Sequence, residues 1–300
     1  MPSLTRRDAL CALGTAGLGA TLPALPAPAR SVPLSLHQFT LGDATVSVVR
    51  DTGFALPPEA FGTNAPPGLV DAALRTRGLP PAPVRLDSSQ LLVEHGGKRT
   101  LLDAGTGRGD LLAGLAALGV APASVDHVVI SHYHGDHLGG VSSAGAPTFP
   151  NAQVQLPAVE LAFIDGFGGA DDRVEVARAA LSPVRDRTEP YADGDAVSPG
   201  VTAVAAPGHT PGHIAFEVTS RNDHLLVLSD ALVHVLFAEH PHWLYRLDCE
   251  AEATVATRRR LLGRAADEGL PVFASHLPFP GLGRVARSGS GFRFTPDALR

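Results

Sequence analysis

Thiol, thioether, indole and positive charge are all scarce in this chain of 300 residues: two Cys, one Met, one Trp, and 24 Lys plus Arg against 30 Asp plus Glu, for a formal net charge of −6. So few cysteines move any metal or acid–base chemistry away from thiolate. The acidic balance provides no basic field for a phosphate backbone, so no nucleic-acid partner is expected. A chain that is 18% charged and 44% hydrophobic is neither disordered nor fibrous, and it is long enough for a sizeable core in one domain, or at most two. Imidazole is what it has in quantity, with 13 histidines. Chemistry is therefore expected from imidazole and carboxylate.

A long apolar run is also missing. Cys11–Leu25 is apolar but short of the ~20 residues a membrane span needs, and Gly14, Gly17, Gly19 and Pro23 break it, so no stable membrane insertion is expected. Arg6-Arg7 precedes this run and Ala27-Pro28-Ala29 follows it, and the whole resembles a twin-arginine export signal over residues 1–29. The expected destination is the periplasm or the exterior. Removal of that segment, which carries net +1, would take the chain to about −7 and leave Cys249 as its one cysteine, so that no internal disulfide is expected. Residues 30–300 are then expected to form the working domain.

Within it, strand-like and helical runs alternate. Ala44–Arg50, Gln90–His95 and Arg99–Ala104 read as strands, the last two joined through Gly96-Gly97 as a hairpin. Residues 51–87 are rich in Pro and Gly and read either as a lid or as a surface loop with its apolar residues tucked onto the core. Helices are expected over Arg108–Leu118, Pro157–Ile164 and Asp172–Leu181, and from a cap at Asp248 to about Glu268, with Arg258-Arg259-Arg260 on a solvated face. Strands return at Val201–Ala206, Ile214–Thr219 and Leu225–Ser229. Two batches of strands, each with helices, imply two mixed sheets packed face to face and covered outside by helices.

The chemistry concentrates in Ser131-His132-Tyr133-His134-Gly135-Asp136-His137, directly after the apolar strand His127–Ile130. On an extended backbone His132 and His134 share a face, and a turn at Gly135 can aim Asp136 and His137 at a second point nearby. So many polar ligand types on one loop would be costly to bury without a cation.

With His132-x-His134-x-Asp136-His137 followed by Leu138-Gly139-Gly140, the sequence resembles the metallo-β-lactamase fold family. Companion stretches occur in the family's order: Leu101-Leu102-Asp103-Ala104-Gly105, Pro207-Gly208-His209-Thr210-Pro211-Gly212-His213, Ser229-Asp230 and Ser275-His276. The resemblance implies an α/β fold, an αββα sandwich of two mixed β-sheets flanked by helices. It also implies two divalent metal ions, with Zn²⁺ the expected one. Carried over residue by residue, one ion takes His132, His134 and His213, the other takes Asp136, His137 and His276, and Asp230 bridges them. His209 is then a loop-shaping residue, and Asp103 supports a ligand imidazole.

Such a centre would ionise a solvent held between the metals, giving a hydroxide nucleophile without a catalytic Ser or Cys. Asp136 and Asp230 are the expected catalytic carboxylates, with Asp136 also passing a proton. His234 could assist a leaving group, support Asp230, or simply pack. Lactones or related small esters are the expected substrates, with organophosphate triesters the alternative, since Asp51–Pro58, Ser229–His234 and Ser275–Gly283 look closest to methyl parathion hydrolase-like members. Against the acyl homoserine lactonase pattern, Val233 stands where a tyrosine is expected. A β-lactamase fits less well because Asp230 occupies the position of a different ligand. A non-hydrolytic metal or redox protein and an exported binding protein with a structural zinc site are the remaining classes. Phe54, Leu56, Phe163, Phe167, Phe237 and Trp243 are candidate walls of an apolar pocket, each with core packing as the competing role. A small-molecule substrate is the expected partner, and a homodimer is allowed. His240-Pro241-His242 receives no role.

Overall fold

The computed structural model describes residues 35–80 and 82–297. The export segment and Cys11 lie outside the described residues.

Two seven-stranded mixed sheets form the frame. The first contains β1 (Leu36–Leu41), β2 (Ala44–Leu56), β3 (Val84–His95), β4 (Lys98–Leu102), β5 (His127–Val129), β8 (Gln153–Pro157) and β9 (Thr188–Tyr191), in that order. A small hairpin, β6 (Ser142–Ser143) with β7 (Ala146–Pro147), stands apart. The second sheet contains β10 (Ala196–Ser198), β11 (Val201–Ala205), β12 (Ile214–Ser220), β13 (Asp223–Val227), β14 (Pro271–Phe273), β15 (Leu282–Ser288) and β16 (Gly291–Pro296).

Alternating side chains of both sheets meet in a dry layer. Val46, Val48, Leu91 and Val129 face Ala203, Phe216, Val227 and Phe273, all buried. Separate apolar layers lie beneath the outer helices of each sheet. The αββα arrangement expected from the two batches of strands is the one observed.

Parallel pairing decides where the chemistry can sit. β4 runs parallel to β5, pairing Leu102 with Val129, and β13 runs parallel to β14, pairing Val227 with Phe273. Asp103, the loop from Ser131 to His137, Asp230 and His276 all follow the carboxyl ends of these four strands. They therefore gather at one rim of the sandwich, where such sheets place ligands.

Residues 51–87 are largely ordered. β2 and β3 extend past the sheet and pair from Arg50↔Ser89 to Leu56↔Val84 across a bulge. The intervening chain holds a short helix, Leu69–Thr76, and docks on the second half through Thr63 N–H to Leu244 O (3.0 Å) and Arg246 N–H to Ala60 O (2.9 Å).

Three helical expectations shift for identifiable reasons. The helix expected from Arg108 starts at Leu111 because buried Asp51 takes the preceding backbone: its Oδ2 accepts Thr106 N–H (2.9 Å) and its Oδ1 accepts Leu111 N–H (3.1 Å). The long helix runs Ala251–Glu268 with Glu250, not Asp248, at its N-cap, and it ends at Gly269 in the left-handed conformation (φ 64°). Arg258 is not on a solvated face. It is fully buried, donating to Ala231 O, Pro241 O and Trp243 O and standing 4.5 Å over the Phe237 ring. Among the described residues no helix is long and apolar enough to cross a membrane.

Candidate metal centre

Backbone conformation first aims the side chains. Asp103 (φ 63°) and Ser229 (φ 45°) occupy the left-handed region, unusual for residues with a Cβ and a cost that functional sites bear. Gly208 (φ 131°) admits no side chain, since a Cβ there would lie 2.3 Å from the Thr254 nitrogen. That close approach seats the Pro207–His213 loop against the long helix.

Two groups of potential ligand atoms result, within each of which all atoms lie within 4.8 Å of one another: His132, His134, His209 and Asp230, and Asp136, His137 and His276. In the first, His134 Nδ1 is 3.0 Å from His132 Nε2 and 3.0 Å from His209 Nε2. In the second, His137 Nε2 and His276 Nε2 are 3.4 Å apart, and Asp136 Oδ2 is 3.6 Å from the former and 3.4 Å from the latter. Asp230 joins the two. Its Oδ1 is 3.2 Å from both His137 Nε2 and His276 Nε2, while its Oδ2 is 3.2 Å from His209 Nε2 and 3.9 Å from His132 Nε2.

One sequence expectation is corrected here. His213 does not join the first group; His209 does. His213 Nδ1–H donates to Ala206 O (2.8 Å), and its Nε2 accepts Asp230 N–H (3.1 Å), so neither ring nitrogen remains to bind an ion. His213 holds the backbone of the bridging carboxylate instead.

Outer partners fix the other rings with a lone pair turned inward. A carboxylate or carbonyl can only accept, so the proton sits on Nδ1 of His137 facing Asp103 (2.8 Å), of His209 facing Asp248 (3.0 Å) and of His276 facing Asp87 O (2.8 Å). His132 Nδ1 lies 3.0 Å from Ser131 Oγ, whose own proton goes to Asp103 Oδ2 (2.9 Å). His134 is reversed: Nδ1 faces the centre, and Nε2 is buried with no hydrogen-bond partner among the described residues.

Electrostatics point the same way. Burial holds His132 and His134 well below the ordinary histidine range, helped by neighbouring imidazoles. At His137, burial opposes protonation but Asp230, Asp136 and Asp103 overcome it and raise the ring well above its usual value. His209 is treated alike: against burial, Asp230 and Asp248 raise it to about 9. Asp230, against its own burial, is held far below the carboxylate range by His276, His137 and His209. Buried carboxylates that favour positive charge among packed imidazoles, with ring nitrogens 3.0 Å apart, make a donor set that suits divalent cations.

The sequence-stated pocket residues divide. Phe54 is half-buried with its ring edge-on to His276 at 5.3 Å, and Leu56 follows on the same strand face. Phe163, Phe167, Phe237 and Trp243 are buried core, the last stacked on His240 at 3.9 Å. His234 packs against Phe61 (5.4 Å) and accepts Leu236 N–H at Nδ1. Burial, then Arg77, lowers it to about 4. Asp248, Arg258 and Asp87 support the centre without any local sequence pattern that marks them for it; the PGHTPGH stretch did contain His209.

A family model described as the metallo-beta-lactamase superfamily matches residues 83–267. The N-acyl homoserine lactonase AttM of Azorhizobium caulinodans is 33% identical over 177 residues, 56% of this chain and 64% of that protein, so the match spans less than two-thirds of that relative's length. Among solved structures, AidC, a dizinc quorum-quenching lactonase in complex with a product, superposes with a TM-score of 0.82 at 24% identity, covering 89% of this chain and 99% of AidC. The hydrolase AbOPH in the beta lactamase superfamily superposes with a TM-score of 0.81 at 25% identity, covering 89% and 98%.

Proposed function

The chain belongs to the metallo-beta-lactamase superfamily, and from that premise we propose that it is a dinuclear metal-dependent hydrolase of lactones or related small esters. The observation that carries this reading is Asp230, whose two oxygens each face a separate group of imidazoles. His132, His134, His209 and Asp230 would hold one ion; Asp136, His137, His276 and Asp230 would hold the other. Nitrogen and oxygen donors of this kind suit Zn²⁺ among other divalent ions. When bound, such ions supply Lewis acidity, polarising a carbonyl or phosphoryl oxygen and acidifying water.

The remaining work falls to the chain's own groups. Asp103, Asp248 and the Asp87 carbonyl each accept an Nδ1 proton and so aim three Nε2 atoms inward. Asp136, whose side chain is 25% exposed while the other ligands are nearly sealed, is the carboxylate placed to pass a proton to solvent. Phe54 beside His276 offers an apolar surface to a neutral acyl group. His234, deprived of charge by burial and facing Phe61, serves packing. The likeness to AttM favours lactones as substrates, and residues 1–29 fit export by the twin-arginine route.

A substrate panel tests the reading. Metal-saturated protein is assayed against acyl homoserine lactones of several chain lengths, aliphatic lactones, aryl esters, a phosphotriester and a lactam, with His132→Ala as control. Lactone or ester turnover far above the control is expected. Turnover of the phosphotriester or lactam alone would assign a different substrate class, and none above control would refute hydrolysis.

A further inference from the structure

Glu160 is a fully buried carboxylate in the first turn of the helix Ala158–Gly166, and the hydrolytic reading gives it no task. A carboxylate at such depth is costly unless its oxygens are paired. Its partners are two backbone amides. Oε2 accepts Tyr133 N–H at 2.9 Å and Oε1 accepts Gly212 N–H at 2.6 Å. Tyr133 stands between His132 and His134, and Gly212 belongs to the loop that carries His209. One carboxylate thus joins the two loops whose histidines form the first group. The contact is close on both sides: a Cβ on Gly212 would fall 2.7 Å from Val159 Cβ and 2.8 Å from Glu160 N, so the loop rests directly on the first turn of the helix.

The second group draws on only one of these loops, through Asp136 and His137. His137 is oriented by Asp103 and His276 by the Asp87 carbonyl, which belong to other elements. Without the Glu160 carboxylate, two buried amides would lose their acceptors, a cost of about 1–3 kcal/mol each, and the loops could relax independently. Only an ion held across both loops would register that motion directly.

We propose that Glu160 is a positioning residue that clamps the His132–His134 loop to the His209 loop and so preforms the first ion site more than the second. The proposal rests on the reading that each group holds an ion. Burial, opposed by the two amides and then by the Thr210 side chain and His209, brings this carboxyl up to about 7, in keeping with a group retained at depth for its acceptor oxygens.

The test is Zn²⁺ titration of the metal-free full-length protein against a competing chelator, for wild type, Glu160→Gln and Glu160→Asp. Gln replaces one acceptor by an amide donor; Asp keeps the charge but is too short to reach both loops, and it serves if Gln does not fold. Loss of such outer partners typically weakens binding by about 10–100-fold, and the larger share of that loss is expected at the first ion. The effect should be non-additive with His209→Ala and additive with Asp136→Asn. Wild-type affinity for both ions in the variants, or equal weakening of both, would overturn the clamp. Failure of the dinuclear reading would be seen separately, in the wild type, as fewer than two ions; the clamp would then be judged by whether the variants weaken the ion that remains.

Discussion

The two ligand groups share Asp230 and otherwise contrast. His132, His134 and His209 are sealed, with 0–5% exposure, and come from two loops joined beneath by Glu160. Asp136, in the other group, is a quarter exposed, and His137 feels three carboxylates and His276 two. Three imidazoles with one carboxylate would make a deep cage that stays net positive once a divalent ion is bound. Two carboxylates with two imidazoles make a more anionic one that is open to solvent. On the proposed reading, the first is suited to retention and the second to exchange and contact with substrate.

The largest effect that sharpens this contrast should come from Arg258. Its guanidinium faces Asp248, which in turn fixes His209, so Arg258→Ala strands a buried carboxylate on the side of the first group. Breaking a buried pair costs about 3–5 kcal/mol, readable as a lower urea midpoint, with the first ion bound less tightly. Asp230→Asn should act on both groups together, weakening both ions and lowering kcat/KM beyond the roughly 100-fold of an outer-partner change. Selective loss of one ion in that variant would break the comparison. A pair of single variants separates the two loop histidines: His209→Ala should leave one ion per chain by elemental analysis. His213→Ala should retain two and instead cost about 1–3 kcal/mol of stability through its stranded backbone partners.

The smallest effect is a pH dependence outside both groups. An unfolded chain protonates His234 near 6.5, whereas the folded one resists until about 4. The unfolded state therefore binds the extra proton within that window, and stability falls as pH drops through it. The slope from this one residue is about 1 kcal/mol per pH unit. A His234→Phe variant should lose less stability than wild type between pH 7 and pH 5 by denaturant titration, while its activity at pH 7 stays close to wild type.

What sequence could reveal follows from how each half is built. On the first sheet the ligands are contiguous, so His132, His134, Asp136 and His137 were legible from spacing and from the strand that precedes them. On the second sheet they are single residues set by tertiary packing. Asp230 and His276, each at the end of a strand, were placed by the family resemblance. The choice between His209 and His213 was not, because it depends on Asp248 and on the Ala206 carbonyl, neither of which is marked by local pattern. Arg258 looked like one of three exposed arginines, and only the helix's rotation onto Phe237 shows it buried. Residues 51–87 looked irregular because Pro and Gly dominate their centre, while the strand extension they contain is stabilised by pairing across the bulge between β2 and β3.

The most direct test of the central claim is anomalous diffraction at the metal edge from crystals of the metal-saturated protein. Two peaks are expected, one enclosed by His132, His134, His209 and Asp230 and one by Asp136, His137, His276 and Asp230. A single peak, or a peak ligated by His213 in place of His209, would contradict the account.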